Sequence, residues 1–311
     1  MPSMGTRAGF RARAGLCIIL ALAVCSEVAF ADDPTPRDDP PAQSDPSKPA
    51  APSAQKKSDE EVTFKSLPLD ILHDQAFLWL RPFRLHSSDL PWMGAFLGTT
   101  AGLMVIDNNA AQGLVANPPG GGYNFSRTVG KLGTPLYGSA IMGTVYLVGL
   151  ASKSKHAQAT GILGIRAVAD SMIIVEALKA VTQRPRPTLP GGVTPNHNAD
   201  GEFFTGGNSF PSGHAIGSFA LATVVAERNR QRPWLVAGAY GLAGLVSVSR
   251  VTERRHFPSD VFVGAVLGHL IGRHVVHSAE SDAPSVWNHL RVEPFATRLG
   301  GPGVSVTWNF Q

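Results

Sequence analysis

Cysteine is scarce in this sequence of 311 residues, which contains only Cys17 and Cys25. Both lie in residues 1–31, which resemble a secretion signal: three arginines precede the apolar run 16–24, and small residues follow it. Cleavage at the end of this segment would leave a mature chain without a thiol. Disulfides, cysteine nucleophiles and thiolate-bound metals are therefore excluded for that mature chain. The alternative is that the segment stays attached as a membrane anchor.

The chain also lacks the features of a nucleic-acid or nucleotide-binding protein. Its net charge of +4 falls to +2 when residues 1–31 are removed, because that segment carries three Arg and one Glu. A nucleic-acid-binding protein needs a clustered basic face, so no nucleic-acid partner is expected. The glycines at 120–122 are interpreted as a loop, since no strand precedes them and no Gly-Lys-Ser/Thr follows.

Composition divides the rest of the chain into three parts. Residues 32–62 are rich in Pro, Asp, Ser and Ala without apolar periodicity, which predicts a disordered linker. Residues 63–280 contain successive apolar segments and are expected to form one helical domain. Residues 281–311 form a tail in which apolar residues alternate from 304 to 310, which predicts a short β-hairpin.

Apolar periodicity predicts an all-α fold of the six-helix bundle type, preceded by one amphipathic helix. The amphipathic helix is expected at 69–80, and it either lies along a membrane surface or packs on the helical core. The six bundle helices are expected at 90–106, 133–152, 156–182, 215–227, 234–251 and 259–276. The segment 133–152 is the best candidate span because it carries no charge over about 20 residues.

Polar residues inside two of these helices bear on helix packing and on metal binding. Arg166, Asp170 and Glu176 recur at helical spacings, which favours a face packed inside the bundle over one in lipid. Three histidines of the last helix lack a further Cys or carboxylate at ligand spacing, so no metal site is predicted.

Residues 249–260 place an Arg, a His and an Asp at the junction of two helices. Asp260 follows His256 by one helical turn, and Pro258 suits the first turn of the second helix. A carboxylate partner fixes the tautomer of a histidine and leaves the other ring nitrogen free as a nucleophile or base. Taken alone, the same residues could also be surface charges at a helix end.

Two further segments present polar groups at helix ends. Lys179 and Arg186 close a long apolar helix, where cations also complement the helix dipole. Ser212 suits a helix cap, and Gly213 and His214 would expose unpaired N–H groups at the positive end of the next helix. Together with Arg250 and His256, these three helix ends describe a phosphate site that carries its own nucleophile and acid.

These three segments resemble the signature of a known family. The pattern consists of Lys179 with Arg186-Pro187, then Pro211-Ser212-Gly213-His214, then Ser249-Arg250 with His256 and Asp260. It is similar to the three-part signature of the type 2 phosphatidic acid phosphatase superfamily, which vanadium haloperoxidases share. The resemblance covers residues 93–274 in outline and implies the helical bundle of that family.

The resemblance also implies a role for each residue. His256 would attack phosphorus to form a phosphohistidine, with Asp260 orienting its ring. His214 would protonate the leaving oxygen and then activate water. The groups expected to hold the phosphoryl oxygens are Lys179, Arg186, Arg250, Ser212 and the amide of Gly213.

The implied function is a metal-independent phosphatase, without a cofactor, that hydrolyses phosphate monoesters or diphosphates. If the chain is embedded in a membrane, lipids such as phosphatidic acid, phosphatidylglycerol phosphate or undecaprenyl diphosphate are the expected substrates. If it is soluble, a periplasmic acid phosphatase of broad specificity is expected. A vanadium-dependent haloperoxidase and a non-catalytic membrane component are further alternatives.

The sequence departs from the family at Glu253-Arg254-Arg255, where smaller or apolar residues are usual. These cations either favour diphosphates and acidic head groups or are simply solvated. The loop 188–209 beside the expected site is a candidate lid. Nothing in the sequence indicates an oligomeric state.

Basic turns predict the orientation of an embedded chain. The turn at Lys153 and Lys155 and the turn 228–232 would face the cytoplasm by the positive-inside rule. The three signature segments would then face outward together. The expected location is the inner membrane of a bacterium with the active site facing the periplasm, and the alternative is a soluble periplasmic protein.

Overall fold

The computed structural model describes residues 59–84, 86–113, 121–187, 202–281, 290–296 and 302–308. The predicted signal segment and residues 32–58 of the predicted linker lie outside the described residues. The α-helices are α1 (Leu67–Leu80), α2 (Leu90–Gly113), α3 (Gly121–Leu132), α4 (Pro135–Ala151), α5 (Lys155–Thr182), α6 (Gly213–Arg228), α7 (Pro233–Thr252) and α8 (Pro258–Glu280). Two short 3-10 turns, Arg81–Phe83 and Ser87–Asp89, connect α1 to α2.

The expectation of a mostly helical fold is confirmed, but the helix count differs from the prediction. Eight α-helices occur in the part of the chain that the structure describes, one more than the seven predicted. The additional helix is α3, which the sequence analysis left unassigned, and Gly121 and Gly122 at its start were read as loop. Glycine has a low helix propensity, so these residues hid the start of an otherwise amphipathic segment. The next helix starts at Pro135, after Thr134 caps it by accepting a hydrogen bond from the Tyr137 amide.

Two strands lie in the C-terminal tail. Strand β1 (Leu290–Ala296) pairs antiparallel with β2 (Pro302–Trp308), so that Leu290 lies opposite Trp308 and Ala296 opposite Pro302. The residues 297–301 that join them lie outside the described residues. The complete hairpin therefore stays a prediction.

Close packing of α6 on α8 forms the centre of the bundle. Gly264, Gly268 and Gly272 lie four residues apart on α8 and face the backbone of α6. A Cβ atom on Gly268 would lie 2.2 Å from the carbonyl oxygen of Ile216, so the two backbones meet where no side chain would fit. This spacing of small residues is the one that allows helices to approach closely in membranes.

A buried polar cluster attaches α1 to the bundle. Asp74 is 1% exposed and accepts a hydrogen bond of 2.6 Å from the Arg166 guanidinium of α5. Its carboxylate also lies 2.9 Å from His274 of α8. Asp170 is buried next to it and accepts a hydrogen bond from Gln75.

The prediction that Arg166 and Asp170 pack inside the bundle is therefore confirmed. For Glu176 the same prediction is wrong. Its side chain is 69% exposed and pairs with Lys179 one helical turn away.

The outer face of α1 is apolar. Leu69 and Leu72 of α1 and Phe83 just beyond it are exposed, with Phe83 at 85%. A helix at a water interface places its charged residues outward, whereas α1 directs Asp74 inward and leucines outward. This arrangement suits a helix surrounded by lipid.

Several helices that follow α1 are long and apolar enough to cross a membrane. Among the described residues these are Ser87–Asp107, Pro233–Thr252 and Pro258–Glu280. The pair formed by α3 and α4 passes the same test when it is counted as one segment bent by 58°. The helix expected at 133–152 is therefore observed as the second half of this bent pair. These lengths and compositions indicate a membrane protein.

Candidate active site

Four helix termini meet at one end of the bundle. Helices α5 and α7 end there, and α6 and α8 begin there. The amide of Ser212, which precedes α6, donates to the carbonyl oxygen of Asp260 in α8 at 3.0 Å. The Lys179 ammonium at the end of α5 lies 3.6 Å from the position that a Cβ atom of Gly213 would occupy. The three signature segments are thus brought together, although they are far apart in sequence.

Local structure explains how these termini are formed. Gln183 adopts a left-handed conformation with φ of 45°, which ends α5 and turns the chain toward the site. Ser212 caps α6 by accepting a hydrogen bond from the amide of Ala215. The first N–H groups of α6 therefore lie at a helix N-terminus beside the Lys179 ammonium, an arrangement that favours an anion.

The ring of His256 is held by Ser209 more directly than by Asp260. Its Nδ1 atom lies 2.7 Å from the carbonyl oxygen of Ser209 and 3.7 Å from Oδ2 of Asp260. A carbonyl oxygen only accepts hydrogen bonds, so Nδ1 carries the proton and Nε2 carries the lone pair. The Ser209 hydroxyl donates to Asp260, so this serine connects the carboxylate to the ring.

Burial lowers the pKa of both histidines of the site. Burial lowers the pKa of His256, and the charge of Asp260 offsets part of this effect. The pKa of His214 falls to about 3 because the residue is half-buried and because Arg250, Lys179 and Arg186 surround it with positive charge. A bound anion would cancel that charge and raise the pKa of His214.

The two arginines of the signature have polar partners. Arg186 donates to the Asn208 side chain at 3.1 Å. Arg250 donates to Glu253 at 2.6 Å, and both side chains of this pair are buried. A Cβ atom on Gly130 of α3 would overlap the Arg250 guanidinium, so α3 forms a wall of the site.

The structure separates the three residues at which the sequence departs from the family. Glu253 turns inward to pair with Arg250, whereas Arg255 is exposed. Arg254 lies between them with a positive φ of 54°. Only Arg255 therefore matches the expectation of a solvent-exposed cation at the rim.

Three polar residues that were not predicted as part of the site lie beneath it. Arg184 donates to Asp260 at 2.6 Å and to Asp107 at 2.7 Å, and all three side chains are buried. Asp107, at the end of the candidate span in α2, also accepts hydrogen bonds from the amide and hydroxyl of Ser259. The available signals were Arg184, an additional arginine two residues before Arg186, and a single carboxylate ending an apolar run.

Two earlier expectations concern metal ions and a lid. Among the described residues, no group of three or more His, Cys, Asp or Glu side chains has an arrangement that could hold a metal ion. The candidate lid at 188–209 is described only from residue 202 onward, so most of it lies outside the described residues.

Comparison with known proteins identifies relatives of this region. Residues 160–282 match the family model described as PAP2 superfamily, and this segment contains all eight predicted site residues. Lipid A 1-phosphatase from Porphyromonas gingivalis is 41% identical over 69 residues, which is 22% of this chain and 16% of that protein.

Two further relatives align over longer segments. Undecaprenyl-diphosphatase BcrC from Bacillus subtilis is 31% identical over 134 residues, or 42% of this chain and 62% of that protein. Lipid phosphate phosphatase 1 from Arabidopsis thaliana is 32% identical over 136 residues, or 35% of this chain and 42% of that protein. The chain thus spans less than two thirds of the length of each of these relatives.

Two solved structures are similar to the chain. LpxE from Aquifex aeolicus superposes with a TM-score of 0.41 at 23% identity, covering 57% of this chain and 94% of that one. A transmembrane PAP2 type phosphatidylglycerolphosphate phosphatase from Bacillus subtilis superposes with a TM-score of 0.42 at 21% identity, covering 69% and 94%.

Proposed function

We propose that the protein is a membrane-embedded lipid phosphatase, because residues 160–282 match the family model of the PAP2 superfamily. It would hydrolyse phosphate monoesters or diphosphates of lipids without a metal ion. The observation that carries this proposal is the meeting of Lys179, His214 and His256 at one end of the bundle, with Arg186 and Arg250 close enough to lower the pKa of His214. The curated relatives are named as phosphatases or diphosphatases of lipids, which supports the same substrate class.

The first step of the proposed reaction forms a covalent intermediate. Nε2 of His256 bonds to phosphorus while the bond from phosphorus to the leaving oxygen breaks. The ring becomes positively charged, and the Nδ1 proton stays hydrogen-bonded to the Ser209 carbonyl. The negative charge of Asp260 stabilises this cation. The guanidinium groups of Arg186 and Arg250 stabilise the charge on the phosphoryl oxygens.

His214 completes both steps as acid and base. It is neutral in the free site and takes up a proton when an anion cancels the surrounding positive charge. That proton passes to the leaving oxygen in the first step. In the second step His214 accepts a proton from water, whose oxygen bonds to phosphorus while the bond between phosphorus and His256 breaks.

The arrangement of the basic turns supports the proposed orientation. Helix α5 places Lys155 and Lys179 near its two ends, and its 28 residues correspond to about 42 Å. The turn after α6, with Arg228 and Arg232, also lies at the end opposite the site. The positive-inside rule then places the site on the periplasmic side of a bacterial inner membrane.

Cysteine accessibility tests this orientation. After replacement of Cys17 and Cys25, an impermeant maleimide should label Phe204→Cys in cells with only the outer membrane permeabilised. Gln231→Cys should react only after the inner membrane is disrupted. Both positions are exposed and lie toward opposite ends of the bundle. The reverse labelling pattern would overturn the proposed orientation.

A substrate panel tests the proposed activity. The purified full-length protein, in detergent and with a chelator present, is assayed for phosphate release from phosphatidic acid, phosphatidylglycerol phosphate, undecaprenyl diphosphate and a soluble aryl phosphate. We expect turnover of at least one lipid that exceeds that of the soluble ester and that vanadate blocks. Preference for the soluble ester would favour the acid phosphatase alternative, and loss of all activity with the chelator would refute metal independence.

A further inference from the structure

Asp260 belongs to a buried array of three charged side chains from different parts of the chain. Arg184 Nη1 lies 2.6 Å from one oxygen of Asp260, and its Nη2 lies 2.7 Å from Asp107 of α2. Arg184 is 3% exposed, Asp107 is 1% and Asp260 is 0%. At such burial these charges are weakly screened, so their sum acts on whatever lies next to the array.

Arg184 contacts both groups that hold the His256 ring. Its guanidinium binds Asp260, and its backbone carbonyl oxygen accepts a 2.7 Å hydrogen bond from the amide of Ser209. Its side chain is fixed between two aromatic rings, with Cζ 4.3 Å from the centroid of Phe257 and 5.0 Å from that of Phe203. A displacement of Arg184 would therefore move the hydrogen-bond partner of Nδ1 and the nearest carboxylate together.

With both carboxylates ionised, the form that their hydrogen-bond donors favour, the charges of the array sum to a net value of −1. Arg184 alone would neutralise Asp260 and would leave the His256 ring beside an uncharged pair. Asp107 supplies a second carboxylate, which also accepts hydrogen bonds from the amide and hydroxyl of Ser259 at the start of α8. The ring thus faces one net negative charge, which is what a phosphorylated, positively charged imidazole requires.

We propose that Asp107 and Arg184 are positioning residues that set the charge and the orientation of the Asp260 carboxylate behind His256. This inference rests on the proposed phosphatase function. Asp107 lies outside the three signature segments, and Arg184 lies in the spacer between Lys179 and Arg186. The other charged or titratable groups at this end of the bundle are Lys179, Arg186, His214, Arg250, Glu253 and Arg255. None of these is altered in the variants below, so the array is the only charge that changes.

The array makes a signed prediction for the pH profile. In Asp107→Asn the array becomes neutral, so the imidazolium form of His256 is less stable. The acidic limb of kcat/KM should then move to lower pH by about one unit, the effect of a unit charge across a guanidinium in a protein interior. The same change should lower kcat, because phosphohistidine formation places a positive charge on the ring.

Replacing both Asp107 and Arg184 should restore the pH profile of kcat/KM. In the double variant Asp107→Asn/Arg184→Met, only Asp260 remains charged, and the net charge of the array returns to −1. The acidic limb should move back toward its position in the parent protein. In this double variant the Asp260 carboxylate keeps its hydrogen bonds from the Ser209 hydroxyl and the Phe257 amide.

A second buried pair of the same chemistry is the matched control. Arg166 and Asp74 are 5% and 1% exposed and form the same type of ion pair far from the site. Asp74→Asn should lower the thermal midpoint of the protein as Asp107→Asn does, without moving the acidic limb. A shift of equal size in Asp74→Asn would show that loss of stability alone moves the profile and would overturn the proposal.

Titration of the ring itself separates this inference from the proposed function. The full-length protein with 13C-labelled histidine is titrated by NMR, and the His256 signal is identified by its loss in His256→Gln. We expect a lower His256 pKa in Asp107→Asn, an unchanged one in Asp74→Asn and a restored one in the double variant. An unchanged His256 pKa in Asp107→Asn would refute the inference, whereas inactivity of the parent protein on every substrate would refute the function alone.

Discussion

His256 Nδ1 lies 2.7 Å from the carbonyl oxygen of Ser209, whereas Asp260 Oδ2 lies 3.7 Å away. A peptide oxygen thus fixes the tautomer of the ring, and the carboxylate acts on it through its charge and through the Ser209 hydroxyl. The position of the ring therefore depends on the backbone before α6, which is in turn hydrogen-bonded to Arg184.

This geometry predicts unequal effects for substitutions on either side of the ring. Ser209→Ala keeps the carbonyl oxygen and removes one of the donors to the charged Asp260, so kcat should fall by roughly ten- to a hundredfold, the effect of one hydrogen bond to a charged group. Asp260→Asn removes the charge that stabilises the ring cation and should lower kcat much further. Steady-state kinetics of the two variants on one lipid substrate measure this difference. Equal losses would show that the hydroxyl, not the carbonyl, holds the ring.

Anion binding should be accompanied by proton uptake at His214. The pKa of this residue is about 3 in the free site, so at pH 6 it is neutral and binds a proton only when an anion cancels the nearby positive charge. Because the folded, anion-bound state holds more protons, anion affinity should increase as the pH falls toward 5.

Calorimetry with tungstate in buffers of different ionisation enthalpy measures this uptake. We expect close to one proton taken up per anion in the parent protein and close to none in His214→Gln. Uptake that persists in His214→Gln would assign the proton to another group.

Packing of α6 on α8 should be sensitive to a single methyl group. Gly268→Ala places a Cβ atom 2.2 Å from the Ile216 carbonyl oxygen, so the helices must separate, at a cost of about 1–3 kcal/mol for overpacking. Gly238→Ala on α7 is the control, because nothing lies within 4 Å of its Cβ position. Thermal unfolding in detergent should show a lower midpoint for the first variant and an unchanged or higher one for the second. Equal midpoints would contradict the close packing.

The wall formed by α3 predicts an effect on substrate binding. Gly130→Ala would displace the Arg250 guanidinium, whose side chain is flexible enough to move without unfolding the helix. KM should rise because a phosphate ligand is misplaced, while the thermal midpoint changes little. Gly143→Ala, which has open space at its Cβ position, is the control for helix substitution. An unchanged KM in Gly130→Ala would mean that Arg250 binds substrate from another position.

The sequence indicated which signature segments lie together, but not the buried residues that contact them. Lys179, His214 and His256 follow the resemblance because their segments start or end helices, and chain direction brings such ends together. The contact of Arg184 with Asp107 spans 77 residues, and nothing in a carboxylate that ends an apolar helix identifies its partner. A backbone acceptor such as the Ser209 carbonyl has no side-chain signal at all.

The limits of the sequence-based prediction for α1 and α3 have a similar explanation. Periodicity located α1, but its apolar outer face and polar inner face became apparent only with its partners Arg166 and His274 in place. Gly121 and Gly122 concealed the start of α3, whose position depends on packing against α7 rather than on local propensity.

The most direct test of the account is the turnover of a lipid phosphate or diphosphate by His256→Gln, measured with a chelator present. His277→Gln, an exposed histidine at the opposite end of α8, is the matched control. We expect phosphate release by the parent protein and by His277→Gln, and none above background by His256→Gln. Turnover by His256→Gln at the rate of the parent protein would contradict the assignment of this ring as the nucleophile.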